Sequence, residues 1–257
     1  MGVVNVTPDS FSDGGRHATV AAAVRHGCRL ADEGADIVDI GGESTRPGAR
    51  PVSDQQELDR VMPVIEGLCR ETDVPVSIDT SKPLVMREAV SAGAAMINDV
   101  CALGEPGALQ AAGELAVPVC LMHMQGEPRT MQANPSYDDV VAEVTAFLRE
   151  RATAAMAAGV PRDGVVVDPG FGFGKTVAHN LALLRGLPQV AGLGYPVLAG
   201  LSRKSLLGKL TGRPVEERLA GSIALAVLAA QNGAAILRVH DVAPTVDALR
   251  VLAAARD

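Results

Sequence analysis

Aromatic residues are scarce in this chain of 257 residues, which contains no Trp, two Tyr and four Phe. The hydrophobic residues, 47% of the total, are therefore mostly aliphatic, and they must form the core. Three of the four Phe lie in polar or glycine-rich segments rather than in apolar ones. We expect Phe11, Phe171 and Phe173 to form apolar walls around a planar ligand, because aromatic rings pack well against one another.

Excess positive charge and long apolar runs are also absent from the sequence. The chain has 23 Lys and Arg against 30 Asp and Glu, a net charge of −7, without a basic cluster. This balance argues against nucleic acid as a partner. No apolar segment is long enough to span a bilayer and no signal-peptide pattern stands at the start, so we expect a cytoplasmic protein without a membrane partner.

Cysteines are few, and Cys28, Cys69, Cys101 and Cys120 lack the spacing of a metal site or a CxxC motif. This usage predicts buried thiols rather than a disulfide framework. No linker, repeat or charge block divides the sequence, so residues 1–257 are predicted to form one domain. The first strand begins almost at Met1, and we expect that a leading segment precedes it in the full protein.

Eight short apolar segments, with the length and Val and Ile content of buried strands, carry a polar residue near their downstream end. These residues are Asn5, Asp39, Asp79, Asn98, His123, Asp168, Ser202 and His240. A buried polar group without a partner is destabilising by about 2–7 kcal/mol, so eight of them indicate a shared site. In a barrel of parallel strands, such a site forms at the carboxyl ends of the strands.

Helical periodicity separates these strand-like segments. The predicted helices are Ala18–Glu33, Asp54–Glu71, Lys82–Ala92, Glu105–Glu114, Tyr137–Ala158, His179–Leu187, Val215–Asn232 and Ala243–Ala255. Alternating strands and helices favour a parallel sheet, and eight such units in 257 residues match a (β/α)8 barrel. An open doubly wound sheet is the alternative, but it does not require a ring of polar strand ends. We therefore predict the α/β class and a single-domain (β/α)8 TIM barrel.

Three of the polar strand ends suit a heterocyclic ligand. Asp79, Asn98 and Asp168 combine carboxylate acceptors with an amide, which is what the recognition of several ring N–H groups requires. Carboxylates beside such a ring would also stabilise positive charge that develops on it. The segment 168–175, DPGFGFGK, has Pro169 where a P-loop requires Gly, so its glycines more plausibly let the backbone approach a flat ligand.

Arg and Lys residues follow several of the predicted strands, although the chain as a whole is acidic. This local positive charge predicts a substrate with an anionic group. Arg46 follows the second strand, the segment 202–205 (SRKS) follows the seventh, and Arg238 precedes His240 in the eighth. Phosphate sites in barrels often form after strands seven and eight. Asn5 offers a hard oxygen that suits Mg²⁺ shared with a diphosphate. His123 is equally compatible with packing and with ligand binding.

The ordered motifs NVTPDSFSDGG (5–15), GGESTRPG (41–48), DPGFGFGK (168–175), SRKS (202–205) and RVH (238–240) resemble those of dihydropteroate synthases. The resemblance covers nearly the whole chain and implies a barrel enzyme with small-molecule substrates. Its reaction would join 4-aminobenzoate to 6-hydroxymethyl-7,8-dihydropterin diphosphate, giving 7,8-dihydropteroate and diphosphate in folate biosynthesis. It also implies transfer of a pterinylmethyl group with Mg²⁺ as cofactor.

The same resemblance implies a role for each matching residue. The pterin contacts would be Asp79, Asn98, Asp168 and Lys204. The diphosphate contacts would be Asn5, Arg46, Arg238 and His240, with Mg²⁺ at Asn5. The 4-aminobenzoate contacts would be Thr45, Pro47, Phe173 and Ser205. A mobile loop that closes over the site would include Asp9, Ser10, Phe11 and Asp13. The catalytic residues would be Asp79, Asp168, Lys204 and Arg238.

Two other functions remain open at this point. A pterin-binding methyltransferase that acts with a corrinoid would share the barrel and the carboxylates, but it needs no diphosphate site. A non-catalytic pterin-binding module is the second alternative. The oligomeric state can also be predicted. The segment Gly221–Gln231 is apolar on almost all of its faces, whereas an outer helix of a barrel needs only one apolar stripe. This surplus predicts a homodimer through the last helices.

Overall fold

The computed structural model describes residues 1–7, 15–44, 51–127 and 130–256. Eight short strands lie within these residues. They are β1 Gly2–Asn5, β2 Val38–Gly41, β3 Val76–Asp79, β4 Met96–Asp99, β5 Val119–Met122, β6 Val165–Asp168, β7 Leu198–Ala199 and β8 Ile236–Leu237. Their Val and Ile content suits strands that are covered on both faces.

All strand pairs are parallel, and together they close into a barrel. Strands β1 to β6 pair in chain order, and β7 pairs with β8. Two isolated parallel bridges join these sheets, one between Val167 and Val197 and the other between Gly2 and Val239. At the second junction the Val3 N–H donates to the Val239 carbonyl at 3.1 Å, and the Val239 N–H donates to Met1 at 2.9 Å. The predicted α/β barrel is confirmed.

Side chains alternate along each strand between the barrel interior and the surrounding helices. Apolar interior side chains form a floor that includes Met1, Met96, Cys120, Val166 and Leu198. Two residues further along, β4 carries Asn98, β6 carries Asp168, and Arg238 follows β8. The interior therefore has an apolar floor and a polar end, and the polar end coincides with the carboxyl ends of the strands.

Ten α-helices surround the barrel within the described residues. They are α1 Gly15–Asp32, α2 Asp54–Glu71, α3 Pro83–Ser91, α4 Ala108–Leu115, α5 Val140–Ala157, α6 Val177–Arg185, α7 Leu187–Ala191, α8 Ser205–Thr211, α9 Leu219–Gln231 and α10 Val242–Ala254. Helix α2 has the predicted ends, and Ser53 caps its start: Ser53 Oγ accepts from Gln56 N–H at 3.2 Å and the Gln56 side chain accepts from Ser53 N–H. Helices α7 and α8 were not predicted, and the segment before α9 is a 3-10 turn at Val215–Glu217.

No helix of the described ranges combines the length and apolar character needed to cross a membrane. The four cysteines are all reduced thiols in the structure. Cys120 is buried in the barrel floor as predicted, but Cys69 is exposed, so the prediction of buried thiols was wrong at that position.

Candidate active site

An arginine held between two carboxylates occupies the polar end of the barrel. Arg238 donates from Nε to Asp39 Oδ2 at 2.6 Å and from a terminal nitrogen to Asp79 Oδ2 at 2.8 Å. Asn98 Nδ2 donates to the same Asp39 oxygen at 3.1 Å. We call these four side chains, from β2, β3, β4 and the end of β8, the interior network.

Burial dominates the electrostatics of the interior network. It raises the pKa of Asp79 to about 7, an effect that Arg238 opposes and Asp39 reinforces. Burial also acts to lower the pKa of Arg238, but Asp39 and Asp79 more than offset this and hold it above its ordinary value. Because buried charges persist only when they are paired, the protonated arginine is what allows two carboxylates to lie together here.

Asp168 ends β6 and begins the loop 169–174, which we call the glycine loop. Its Oδ1 accepts a hydrogen bond from the Gly170 N–H at 2.7 Å, which fixes the orientation of the carboxylate. Gly170 has a φ of +69°, and a Cβ there would lie 1.8 Å from the His123 carbonyl oxygen, which excludes other residues. Burial raises the pKa of Asp168, whereas the Gly170 N–H and Lys204 lower it.

Lys204 immediately precedes α8 and lies against the glycine loop. Its Nζ is 4.1 Å from the centre of the Phe173 ring, a cation–π distance. Burial and Arg238 lower the pKa of Lys204 to about 8, although Asp168 and Asp79 act in the opposite direction. The structure therefore brings a predicted pterin residue, Lys204, next to a predicted aminobenzoate residue, Phe173.

Lys175 links the glycine loop to the end of β5 by hydrogen bonds. Lys175 is 3% exposed, and its Nζ lies 2.9 Å from His123 Nδ1 and 3.0 Å from the Phe173 carbonyl oxygen. Burial lowers the pKa of Lys175 to about 7, and burial together with this lysine lowers that of His123 to about 3. His123 also contacts the Phe147 ring edge-on at 4.9 Å. These contacts favour the packing interpretation of His123.

Ser202 and His240 lie together beyond β7 and β8. His240 Nδ1 is 3.0 Å from Ser202 Oγ, which also accepts from the His240 backbone N–H at 3.2 Å. Burial, followed by Arg203 and Arg238, lowers the pKa of His240 to about 4. The imidazole is thus neutral at neutral pH and would contact a diphosphate as an N–H donor rather than as a cation. Asn5 ends β1 and is level with Gly41 and, through it, with Asp79 in the strand register.

The described residues include nine of the predicted site positions. Seven of them lie at the polar end of the barrel: Asn5, Asp79, Asn98, Asp168, Lys204, Arg238 and His240. Phe173 borders Lys204, and Ser205 is exposed at the first position of α8. The remaining predicted positions lie outside the described residues: Asp9, Ser10, Phe11, Asp13, Thr45, Arg46 and Pro47.

Phe171 does not form the ligand wall that the sequence suggested. It is 1% exposed and packs in the core between the barrel and its helices. Only Phe173 of the two glycine-loop rings reaches the site, because the turn around Gly172, with a φ of +82°, separates their directions.

Three charged residues near the site were not predicted to contact a substrate, although the sequence pattern includes Asp39 among the eight polar strand residues. Asp39 is not at a strand end but at the second position of β2, and Lys175 closes the glycine loop. Lys82 Nζ donates to Glu57 at 2.5 Å and to Glu43 at the start of the loop after β2. The available signal was a charged residue in an otherwise apolar pattern, as in the strand IVDI that contains Asp39.

Comparison with known proteins identifies the family. Residues 1–240 match the family described as pterin binding enzyme. The dihydropteroate synthases of Haemophilus influenzae and Escherichia coli are 53% and 52% identical to this chain, covering 98% and 99% of it and 91% and 90% of their own lengths.

Two solved structures of Xanthomonas albilineans dihydropteroate synthase superpose on the chain. One, with 4-aminobenzoic acid, has a TM-score of 0.95 at 62% identity, and the other, with 7,8-dihydropteroate, has 0.91 at 59%. Each match covers 100% of this chain and 92% of the solved one. From the barrel, the interior network and these relatives together it follows that the chain belongs to the dihydropteroate synthase family of pterin binding enzymes.

Proposed function

We propose that the polar end of the barrel holds the dihydropterin diphosphate and transfers its pterinylmethyl group to 4-aminobenzoate. The observation that supports this most strongly is the convergence of Asp79, Asn98, Asp168 and Lys204 at one end of a closed barrel. The substrate and the product named for the two Xanthomonas structures are those of this reaction.

The pterin ring would bind to acceptors whose orientation the protein fixes beforehand. Asn98 Nδ2 already donates to Asp39, so its Oδ1 is oriented as an acceptor for a ring N–H. Asp168 Oδ1 is similarly occupied by the Gly170 N–H, which leaves Oδ2 for the ring. Lys204 would contribute a donor. Such a set distinguishes a heterocycle with several N–H groups from an apolar ring of the same size.

The reaction needs no strong base. The bond between the pterin methylene carbon and the diphosphate oxygen breaks, and its electron pair leaves with the diphosphate. Positive charge develops on the methylene and the electron-rich ring, where the carboxylates of Asp79 and Asp168 stabilise it. The aniline nitrogen of 4-aminobenzoate donates its lone pair to the methylene carbon to form the new C–N bond, and this nitrogen, which is then positively charged, loses one proton to solvent.

Asn5 is the residue that we propose to hold Mg²⁺. Its amide oxygen is a hard donor, and the described residues contain no group of three or more His, Cys, Asp or Glu that could bind a metal ion. A lone protein oxygen fits Mg²⁺ when diphosphate and water supply the other ligands. Bound there, the ion would neutralise charge on the leaving group. Arg46, Arg238 and His240 would hold the diphosphate. Arg238 would contact it through Nη1, because its Nε and Nη2 donate to Asp39 and Asp79.

Diphosphate release that depends on 4-aminobenzoate tests the proposed function. The purified chain, Mg²⁺ and the dihydropterin diphosphate should give equal amounts of diphosphate and dihydropteroate only when 4-aminobenzoate is present. Release without 4-aminobenzoate would indicate a diphosphatase. Pterin binding without release would indicate a non-catalytic module, and methyl transfer to a corrinoid in place of release would indicate the methyltransferase.

We also propose a homodimer through α9 and α10, which pack side by side. Leu219 and Leu228 on α9 are 42% and 44% exposed, and Val251 on α10 is 69% exposed. Large apolar side chains exposed on two neighbouring helices favour an interaction surface over a free one. Leu228→Glu should shift the sedimentation coefficient towards a monomer, whereas Leu84→Glu on α3 should not. A monomeric mass for the unaltered chain at micromolar concentration would contradict the dimer.

A further inference from the structure

Asp39 is a buried member of the interior network that none of the proposed substrate contacts includes. Its side chain is fully buried and lies beside Ser77 in the strand register, two positions below Asp79. We propose that Asp39 is a positioning residue that sets the orientation of both Arg238 and Asn98. This proposal rests on the proposed function, since it concerns the same site.

One oxygen atom of Asp39 connects the two substrate subsites. Asp39 Oδ2 accepts from Arg238 Nε at 2.6 Å and from Asn98 Nδ2 at 3.1 Å. Arg238 is a proposed diphosphate contact and Asn98 is a proposed ring contact. The carboxylate therefore fixes the donor for one part of the substrate relative to the acceptor for the other part.

The other oxygen of Asp39 indicates that stability alone does not explain this residue. Asp39 Oδ1 is buried without a hydrogen-bond partner among the described residues, and the same holds for the neighbouring Ser77 Oγ. A half-satisfied buried carboxylate is unfavourable, and replacing a buried ion pair by apolar residues is often neutral or stabilising. The charge at Asp39 is thus better explained by its two partners at the site.

The Asp39→Asn variant tests this role because it keeps the shape and removes the charge. It should weaken the binding of bare 6-hydroxymethylpterin, measured by calorimetry, by about ten-fold or more, since Asn98 loses its charged acceptor. The KM for 4-aminobenzoate should change much less. Asp99→Asn is the matched control: Asp99 is equally buried, but its oxygens accept from the N–H groups of Cys101 and Leu103, both at 2.7 Å, on the helix side of β4.

The pH dependence of pterin binding separates a positioning role from a purely structural one, because a loss of stability alone would not shift it. The charged groups that act on Asp79 are Arg238, Asp39, Glu57, Asp99 and Lys204. Removing the negative charge of Asp39 favours ionisation of Asp79 and lowers the pKa of that carboxyl. The acidic limb of the pterin-binding profile should therefore move to lower pH in Asp39→Asn, and it should move less in Asp99→Asn, which acts more weakly on Asp79.

Pterin affinity and an acidic limb that are both unchanged in Asp39→Asn would overturn the positioning role. Should this variant fail to fold, the pair Asp39→Asn with Arg238→Gln is compared with Arg238→Gln alone, because Asp39→Asn removes one of the two carboxylates that the loss of Arg238 leaves without a cation. That pair should bind bare pterin more weakly than Arg238→Gln alone, and equal affinity would also overturn the proposal. Absence of pterin binding by the unaltered chain would instead overturn the proposed function, and the positioning role with it.

Discussion

Removal of Arg238 should destabilise the fold in a way that depends on pH. Arg238→Ala leaves the carboxylates of Asp39 and Asp79, which are 0% and 15% exposed, without the cation that both of them contact. Breaking a buried ion pair by removing one partner lowers the free energy of unfolding by about 3–5 kcal/mol. This is a large part of the roughly 5–15 kcal/mol that stabilises a typical domain.

The decrease in the free energy of unfolding caused by Arg238→Ala should become larger as the pH rises. Burial already raises the pKa of Asp79 to about 7, and without Arg238 it should rise further. A carboxyl whose folded-state pKa is raised binds protons more readily in the folded chain than in the unfolded chain, so stability falls as the pH rises towards the folded-state value. The deficit of the variant should therefore be smaller at pH 5 than at pH 8.

Urea unfolding of both proteins at pH 5 and pH 8 measures this deficit. Arg203→Ala is the control, because Arg203 contacts both oxygens of Asp241 but the pair is exposed, with the side chains 41% and 20% accessible. An exposed pair contributes only about 0–1 kcal/mol. An Arg238→Ala deficit no larger than that of Arg203→Ala, or one that is equal at the two pH values, would refute this reasoning.

Three further predictions concern ligands and the glycine loop. Asp168→Asn should fold but weaken pterin binding by about 1.5–3 kcal/mol, because one acceptor becomes a donor; unchanged affinity in calorimetry would remove Asp168 from the site. Burial lowers the pKa of Lys175 to about 7, so the unaltered chain should gain about 2 kcal/mol in its free energy of unfolding between pH 7 and pH 9, as the unfolded chain keeps the proton that the folded chain has lost. Lys175→Met should abolish this gain. Equal urea unfolding profiles for the two proteins would contradict the lowered pKa. Binding of 4-aminobenzoate should strengthen when diphosphate and Mg²⁺ are present, because a ligand shared by Asn5 and Arg46 would hold the predicted aminobenzoate contacts Thr45 and Pro47 beside the site. Equal affinity in both titrations would contradict this coupling.

The sequence predicts the barrel and the ligand-facing ends of its strands because their pattern is local. In VSID and VVVD a carboxylate ends an apolar run, and both Asp79 and Asp168 end their strands as expected. The position of Asp39 inside the barrel, rather than at its rim, cannot be predicted from the neighbouring residues alone. In IVDI the alternation does not show where the strand begins, and a shift of two positions moves the side chain from the rim to the interior.

Pairings between distant segments could not be predicted from one sequence. Arg238 and Asp39 are 199 positions apart, so the ion pair emerges only once the barrel closes. Helix α8 has seven residues, too few for a periodic pattern to be recognised. Phe171 and Phe173 look equivalent in the sequence, and the backbone turn between them, at Gly172, decides which of them is buried.

The most direct test of the central claim, that the polar end of the barrel binds the pterin ring, is a crystal structure of this chain with 7,8-dihydropteroate. The ring N–H groups should lie within about 3.2 Å of Asp168 Oδ2 and Asn98 Oδ1. The aminobenzoate part should contact Phe173 beside Lys204. A pterin ring found elsewhere, or without a carboxylate within hydrogen-bond distance, would contradict this assignment.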